Sequence, residues 1–554
     1  MGTKEHADLV LSRGNVLTVN SQNRRAEAVA IKDGRLLRVG TTREVSETVG
    51  KDTLQKNIDG MTVVPGFIES HNHTLMFGIN QRGVDLSRVR SITEMIRVLK
   101  ERAVRQEPGT WVVGAGYNQF ELVEKRHPTR WDLDKVNTSH PILIKHTSAH
   151  GRVVNSRGLA LAGITKDTPS PEGGRVVKED GTGEPTGVLF QFPAMNLVDR
   201  LLPALSNEEL VEALRKANQI LLSQGITTAL DAGTNMFDLP TYLSAFRNAV
   251  DRKVLQVRHT LAIRSDAVLN LDEHENELSH LEEKLLALGI RPGAGDELLR
   301  IGPFKFIPDG AISTATAATY EPYGADPDHQ STGELMISPD ALIDVARAAH
   351  GLGYQLMVHA IGDRAIDQAI EAVEQALRHT PRSNARPRIE HCVMVTPQAL
   401  RKMARLEIVA VVQPAFLWGL GDNWMGQLGR ERAMRLKPLR TFLDHQVMMA
   451  FSSDRPVVNG APLLGIHTAV NQKTMNGNDY APEEKLSIEE ALRCYTINGA
   501  YAAFEDHNRG SIEVGKLADL VFLAEDLTNV PAERIKDIEV VATMVGGKIV
   551  YGSL

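Results

Sequence analysis

The sequence has little of what marks secreted, membrane or nucleic-acid-binding proteins. Its 554 residues include two cysteines, Cys392 and Cys494, which form neither a zinc-type spacing nor a disulfide framework. No stretch approaches the roughly 20 apolar residues that span a bilayer, and residues 1–8 carry charges where a secretory signal is apolar. A net charge of -7 provides no basic footprint for nucleic acid or for an anionic membrane. We therefore expect a cytoplasmic protein without nucleic-acid or membrane partners.

Short apolar runs recur along the chain, and several are separated by stretches with helical periodicity, such as residues 339–352 and 364–378. This alternation is typical of parallel βα units. The runs are residues 62–68, 226–231, 255–261, 304–307, 355–359, 387–391, 408–413 and 447–454. Eight such units predict an α/β fold, a closed (β/α)8 TIM barrel.

The ends of the chain and one long gap do not fit the barrel pattern. Short strands near both termini, with turns at Asp33-Gly34 and Gly546-Gly547, predict one small β-sandwich built from residues 1–64 and 510–554. The barrel is predicted to span residues 65–509. About 150 residues separate its first two strands, far more than a βα connection needs. We therefore predict an insertion at residues 75–220, after the first strand, that acts as a lid or substrate pocket.

The most informative motif follows the first apolar run, where His71 and His73 are spaced i, i+2. In a strand this spacing places both imidazoles on the same face. Two imidazoles aimed at one point are half of a catalytic site for a borderline divalent metal such as zinc. The pair by itself also fits two ordinary polar residues, because 18 histidines produce such spacings by chance.

Further ligand-type residues lie in or at the ends of other predicted strands. Lys305 lies in the fourth strand, His359 ends the fifth, His391 the sixth and Asp454 the eighth. The carboxyl ends of barrel strands meet on one face, so these groups should converge with the histidine pair. Alternatives remain for each: His359 and His391 fit core histidines, and Asp454 fits a helix N-cap. Lys305 fits a structural lysine, with Asp309 as its ion-pair partner or as a replacement ligand.

This set of residues resembles the metal centre of the amidohydrolase superfamily. Segments 358–365 (VHAIGDRA), 388–392 (RIEHC) and 452–456 (SSDRP) are similar to its YtcJ-like branch, which includes N-substituted formamide deformylases. Segments 29–35 and 510–520 resemble the flanking β-domain of the superfamily. The resemblance therefore runs nearly from end to end.

The resemblance implies one or two divalent ions, with zinc expected and iron, manganese or cobalt as alternatives. His71 and His73 would bind the buried ion, and His359 with His391 the more exposed one. Lys305 would be carboxylated and bridge both ions. A carbamate offers two anionic oxygens, whereas an unmodified ammonium repels a cation.

The resemblance also implies a hydrolase for small-molecule amide-type C–N bonds, such as N-substituted formamides or N-acyl amines. By the same resemblance, a metal-bound hydroxide would attack, and Asp454 would act as metal ligand and catalytic base. Glu390 and Asp363 either hold histidine tautomers or are ordinary surface or helix-start carboxylates. Alternatives are a deaminase, an esterase or lactonase, and a non-catalytic scaffold protein. Relatives often form dimers, so we expect a homodimer.

Substrate contacts are expected from the insertion and from the segment after the seventh strand. The candidates are Tyr117, Asn118, His150, Trp418 and Trp424. His150 lies in a segment, residues 148–156, similar to the substrate-facing segment of the family, although it also fits a solvated loop. The tryptophans either line an apolar pocket or pack the lid. Gln191 stands where many relatives have glutamate, so the preference for substrate charge is expected to differ.

Overall fold

The computed structural model describes residues 5–137, 139–148, 150–171, 173–234, 236–269, 278, 280–324 and 331–554. Ala149, from the predicted substrate-facing segment, and residues 1–4 lie outside these ranges. Among the helices described, none combines the length and the apolar character that a membrane span requires.

Eight parallel strands form a single sheet whose spatial order follows the chain. They are Phe67–Asn72, Ile226–Asp231, Arg258–Arg264, Leu299–Phe306, Leu356–Ala360, Arg388–His391, Val409–Val412 and Met449–Phe451. Just after the last strand, the backbone N–H of Asp454 donates to the carbonyl of His71 in the first, at 2.8 Å. This bond joins the two ends of the sheet and confirms the predicted α/β barrel fold.

Helices follow the barrel strands and cover their outer side. The first of them precedes the second barrel strand. In chain order they are Asn207–Ser223, Leu239–Asp251, Leu281–Ala287, Pro339–Gly351, Asp363–His379, Pro397–Arg405, Pro414–Leu428, Arg430–Ala433, Leu439–Asp444, Pro462–Asn471, Ile488–Cys494 and Ile497–Ala502. Ser338 caps one of them by accepting the N–H of Ala341 at 3.3 Å, and a proline follows at the first helical position, which suits it. The helices predicted at residues 339–352 and 364–378 are confirmed to within one residue at each end.

The first predicted strand, residues 62–68, is in fact divided between two sheets. Thr62–Pro65 pairs with the terminal strands, and the barrel strand begins at Phe67. Gly66 lies between them, where a Cβ would come within 2.1 Å of the Thr227 hydroxyl. The chain therefore passes from one sheet to the other through the one residue that fits there. As a consequence, His71 lies inside the barrel strand and His73 just beyond its end.

Two sheets are built from the chain termini. The four-stranded sheet has the order Arg35–Gly40, Ala28–Lys32, Leu9–Ser12 and Leu54–Asn57. The six-stranded sheet has the order Lys548–Gly552, Val540–Val545, Leu520–Leu523, Thr62–Pro65, Asn15–Leu17 and Arg25–Ala26. Leu11 and Val29 from the first sheet share one apolar cluster with Phe522 and Met544 from the second. The predicted turns at Asp33-Gly34 and Gly546-Gly547 are confirmed, and all four residues have the positive φ that such turns require.

The segment between the first two barrel strands contains a sheet of its own. Its strands, in spatial order, are Arg175–Lys178, Pro185–Phe190, Gly151–Val154, Ile142–His146, Val112–Tyr117 and Val84–Asp85. Its helices are Thr74–Asn80, Ile92–Ala103, Arg130–Asp134, Ser156–Ala162 and Gln191–Asp199. The carbonyl of Val457, close to the end of the eighth barrel strand, accepts the hydroxyl of Thr147 at 2.6 Å. The inserted sheet is thus attached to the catalytic end of the barrel.

Candidate metal centre

Three side chains converge at the junction of the first and eighth strands. Oδ1 of Asp454 lies 3.4 Å from Nε2 of His71 and 3.4 Å from Nε2 of His73. Two ligand atoms that each lie about 2.1 Å from one tetrahedral zinc ion are separated by about 3.4 Å. The three ligand atoms lie within 4.8 Å of one another. Their spacing therefore fits one divalent ion.

The second ring nitrogen of each histidine in this pair is held by an acceptor. Nδ1 of His73 lies 2.7 Å from the carbonyl of Gly233, and Nδ1 of His71 bonds to a carboxylate oxygen of Glu390. These oxygens can only accept, so each Nδ1 carries the hydrogen. Both Nε2 lone pairs are then free to face Asp454, as metal ligation requires.

His359 and His391 stand beside this pair in the same arrangement. Nδ1 of His391 lies 3.0 Å from Oε1 of Gln413, and Nε2 of His359 lies 3.0 Å from the carbonyl of Gly310. The ring centroids are 4.5 Å apart, and that of His391 is 5.0 Å from His71. His391 therefore keeps Nε2 for a metal, and His359 keeps Nδ1.

Lys305 is buried against the first histidine. Its Nζ lies 3.3 Å from Nε2 of His71, the nitrogen that a metal ion needs. Burial, and then the nearby charge of Arg264, lower the pKa of Lys305 to about 8. As an ammonium this side chain would compete with a metal ion, whereas the neutral amine can react with carbon dioxide. The contact therefore fits either an ammonium that a metal ion would displace or an amine that becomes carboxylated.

Burial also controls the charges of the other groups. It lowers the pKa of His71 to about 4 and that of His391 well below its ordinary value, so both rings are neutral near pH 7. Burial by itself raises the pKa of Asp454, but the contact with His73 and the neighbouring His391 and His71 outweigh it and lower the pKa strongly. Neutral imidazoles beside an ionised carboxylate are the donor set that a divalent ion prefers.

Two small cavities open onto these residues. The first, of about 90 Å³, is lined by His73, Lys305, His359, His391 and Asp454 on the barrel side and by His150, Arg152, Phe192 and Asp199 on the insertion side. The second, of about 40 Å³, adjoins His359 and Asp454 and is mostly apolar, with Phe416, Leu420 and Trp424 in its wall. The insertion therefore covers the site.

The family to which these features point is established by comparison with known proteins. A family model described as "Amidohydrolase family" matches residues 57–551. The chain belongs to this family. Three relatives match almost the whole of this chain. "Protein LONG AFTER FAR-RED 3" from Arabidopsis thaliana is 32% identical over 98% of this chain and 92% of its own. "N-substituted formamide deformylase" from Arthrobacter pascens is 30% identical over 98% of both chains, and "Putative amidohydrolase YtcJ" from Bacillus subtilis (strain 168) is 29% identical over 97% and 98%.

Solved structures show the same fold. An uncharacterized metal-dependent hydrolase from Pyrococcus horikoshii OT3 superposes with a TM-score of 0.73 at 24% identity, over 95% of this chain and 99% of its own. A second, from Pyrococcus furiosus, has a TM-score of 0.70 at 25% identity, over 94% and 100%. The comparisons confirm the predicted superfamily, its YtcJ-like and formamide-deformylase-like branch, and the barrel fold. The protein is therefore a hydrolase of the metal-dependent amidohydrolase superfamily.

The substrate contacts expected from the sequence lie in different parts of this amidohydrolase. His150 faces both small cavities, and its Nδ1 lies 2.9 Å from Oε1 of Gln191. Trp424 lines the apolar cavity, whereas Asn118 and Trp418 line a larger cleft of about 490 Å³. Tyr117 lies in the core of the insertion, with its hydroxyl 3.0 Å from Nδ1 of His127.

Of the two carboxylates expected to support the histidines, Glu390 does so and Asp363 does not. Glu390 does hold a histidine tautomer, but that of His71 across the barrel rather than that of its neighbour His391. Asp363 instead starts a helix and accepts the backbone N–H of Tyr320 at 2.9 Å. Successive residues in a strand point to opposite sides, so Glu390 faces away from His391.

Asp309 has the supporting position that the sequence suggested for Asp363. Its Oδ1 lies 3.3 Å from Nε2 of His359, and its carboxylate accepts the backbone N–H groups of Ala318 and Gly362 at 3.0 and 2.9 Å. It therefore ties the loop after the fourth strand to the end of the fifth. Its place is beside the centre rather than in an ion pair with Lys305.

Sequence reasoning missed two supporting residues, Arg388 and Gln413. Arg388 is fully buried and donates to Glu390 through Nε at 2.5 Å and Nη2 at 2.9 Å. The i, i+2 spacing of Arg388 and Glu390 is a signal for a shared strand face. Gln413 follows the seventh strand directly, so the strand-end rule that selected His359 would also have selected it.

Proposed function

We propose that this amidohydrolase cleaves an amide-type C–N bond in a small molecule, with an N-substituted formamide or N-acyl amine as the substrate class. The observation that carries the proposal is the state of the four histidines. Each has one ring nitrogen held by an acceptor, which leaves the other nitrogen as the one that can bind a metal ion. A relative named N-substituted formamide deformylase, 30% identical over 98% of both chains, supports the bond type.

The donor set fits divalent metal ions. His71, His73 and Asp454 would hold one ion, and His359 with His391 a second, with zinc the best match to imidazole and carboxylate ligands. A metal ion held there supplies Lewis acidity, which polarises the scissile carbonyl and lowers the pKa of a water molecule. Carboxylation of Lys305 would turn a competing ammonium into an anionic ligand for both positions.

Asp454 is assigned the proton transfers. Its Oδ1 lies 3.4 Å from Nε2 of both His71 and His73, and its lowered pKa keeps it ionised near neutral pH. As an ionised carboxylate it accepts a proton from the attacking water and passes it to the nitrogen of the departing amine. The strong stabilisation of its anion makes the return of that proton favourable.

The cavities suggest how the substrate lies. The apolar cavity of about 40 Å³ beside His359 and Asp454 has room for a hydrogen or a small alkyl group. A formyl or short acyl part fits there, so the amine part would extend toward the larger cleft of about 490 Å³. This orientation favours a small acyl group and tolerates a large amine.

The proposal is tested with the full chain, purified without chelator. Metal content is measured together with the intact mass of the peptide that contains Lys305, and amine release is followed for formamides, longer N-acyl amines and esters. We expect bound divalent metal, a carbamate on Lys305 and fastest release from formamides. Metal-loaded protein that hydrolyses none of these compounds would overturn the proposal, and an unmodified Lys305 with a single ion would remove its two-ion form.

A further inference from the structure

The larger cleft lies between the insertion and the catalytic end of the barrel. It has a volume of about 490 Å³, which is ample for a small organic molecule. Three residues, Met76, Arg152 and Val457, line both this cleft and the cavity at the metal centre. The cleft therefore adjoins the cavity at the metal centre, and these three side chains line both.

Lys145 is the unusual residue of the cleft. It is the residue before the last in the strand Ile142–His146, is 7% exposed and lines the cleft. In the described part of the chain, its ammonium has one hydrogen bond, to Oδ1 of Asn80, at the long distance of 3.5 Å. An ammonium has three donors, and burying it without a close anion is costly. A free anionic group would satisfy it.

The other charges in the cleft wall strengthen the positive potential. The cationic residues are Arg88, Arg90, Lys145, Arg152 and Arg455, and the acidic ones are Asp85 and Glu121. Glu121 is already paired with Arg90 at 2.9 Å, and Arg152 is paired with Asp199 at 3.0 Å.

Arg455 adds a second buried positive charge. It is 4% exposed, and Nη2 donates to the neutral amide of Gln224 at 2.5 Å. Within the described residues, Nη1 is buried without a hydrogen-bond partner. The cationic residues that line the wall therefore outnumber the acidic ones, although the charge of Glu69, behind the wall, also acts on Arg455.

A short chain of contacts connects Lys145 to the catalytic loop. Two residues after Lys145, the Thr147 hydroxyl donates to the carbonyl of Val457 at 2.6 Å. The backbone N–H of Val457 in turn donates to the carbonyl of Asp454 at 2.9 Å. The position of the Lys145 strand is thus fixed relative to the residue that would transfer protons.

We propose that Lys145 binds a carboxylate on the amine part of the substrate, and that the substrate is an amide of an amino acid-like amine rather than of a neutral amine. This inference rests on the proposed function for the bond that is cleaved. The carboxylate adds to the site the anion that Lys145 lacks, and the acyl group remains at the metal centre. Recognition of this kind selects substrates by charge and by the distance between the amide and the acid.

Matched substrates test the inference directly. We compare kcat/KM for N-formyl ω-amino acids of increasing chain length with N-formyl alkylamines of the same lengths, in the wild type and in Lys145→Met. The wild type should prefer the acid at one chain length. In Lys145→Met, kcat/KM for that acid should fall about 10- to 100-fold, as expected for the loss of a hydrogen bond to a charged group. The value for the neutral compound should change little. Lys145→Arg should keep part of the preference for the acid. Lys100 is an exposed lysine of the same insertion, so the control variant Lys100→Met should behave as wild type.

Failure of this inference differs from failure of the proposed function. If the wild type hydrolyses acidic and neutral formamides equally at every length, or Lys145→Met affects both alike, the carboxylate site is wrong and the hydrolase stands.

If no amide is hydrolysed, binding is measured instead by the rise in Tm with glutarate. A rise in the wild type and in Lys145→Arg that is absent in Lys145→Met supports the site, and an equal rise or no rise in all three overturns it.

Discussion

Glu390 on the sixth barrel strand and His71 on the first are joined across the barrel by a hydrogen bond between carboxylate and Nδ1. Both side chains are completely buried. The same carboxylate is paired with the buried guanidinium of Arg388, which also donates to the carbonyl of Ser70 at 2.7 Å. Although burial raises the pKa of Glu390, Arg388 and His71 lower it to about 2. An ionised Glu390 therefore orients the His71 ring from beneath the proposed metal site.

Replacing Glu390 with glutamine should weaken metal binding. The neutral amide accepts a weaker hydrogen bond from His71 and leaves Arg388 without its counter-charge. Loss of such a supporting contact typically costs about 10- to 100-fold in metal affinity, and an uncompensated buried charge costs about 3 kcal/mol of stability. Zinc competition with a chelator and urea unfolding measure the two effects. Glu431→Gln is the control, since that side chain is 94% exposed, and an unchanged zinc affinity in Glu390→Gln would contradict the assignment.

Replacing Gln413 with leucine should affect the second metal position selectively. The substitution removes the acceptor that fixes Nδ1 of His391 and that also accepts from Nζ of Lys437 at 3.1 Å. We expect about tenfold weaker binding at the position of His359 and His391, with the His71 and His73 position unchanged. Titration with limiting zinc should then show occupancy that falls from two ions toward one. Equal loss at both positions would speak against two separate ions.

The strand-end residues could be predicted from sequence because barrel geometry is strongly constrained. Once a short apolar run is identified as a parallel strand, its carboxyl end must lie at the catalytic face. His359, His391 and Asp454 each needed only a strand and its last residue. The positions of strand boundaries mattered less, so the shift of the first strand from residues 62–68 to Phe67–Asn72 still left His71 and His73 at the same face.

The supporting contacts could not be predicted because they depend on packing between distant segments. The bond between His71 and Glu390 joins positions 319 residues apart, and no local pattern specifies which strands face each other. Asp363 looked suitable because it is close to His359 in sequence, yet it faces the start of its own helix. The cleft beside Lys145 depends likewise on how the insertion docks onto the barrel.

Gly362 in the segment after His359 should not tolerate alanine. A Cβ there would come within 1.9 Å of the carbonyl of Ala318, in the loop that Asp309 connects to the fifth strand. Relief of that clash must move backbone, which typically costs about 1–3 kcal/mol, and the movement would disturb the contact of His359 with Gly310. We expect a lower Tm and weaker binding of the second metal ion. Gly351→Ala is the control, since nothing lies within 4 Å of a Cβ there; wild-type behaviour of Gly362→Ala would show that the loop yields freely.

Asp454→Asn should strongly reduce turnover while preserving the fold. Asp454 has a φ of 56°, a conformation that asparagine tolerates better than alanine, so asparagine removes the charge without adding backbone strain. Loss of a general base typically costs about 10²- to 10⁴-fold in kcat, and the loss of an anionic ligand should lower metal affinity as well. Amine release, metal content and circular dichroism separate these effects. Asp444→Asn, at an exposed helix end, should be fully active; comparable activity in Asp454→Asn would mean that another group transfers the proton.

Lys145→Met should raise the free energy of unfolding near neutral pH, because burial of the Lys145 ammonium destabilises the folded state. Burial first, and then Arg152, lower the pKa of Lys145 from 10.5 to about 8, while Asp199 opposes this shift. The unfolded chain therefore binds more protons between these two values, and wild-type stability rises with pH across that window. Below about pH 8 the full penalty of about 3 kcal/mol is present, and methionine removes it. The urea midpoint of Lys145→Met should exceed that of the wild type at pH 7 and converge with it at pH 10.5, whereas Lys100→Met should match the wild type throughout. A variant that is less stable than the wild type at pH 7 would show that Lys145 has a stabilising partner already, and would remove the reason to expect a substrate anion there.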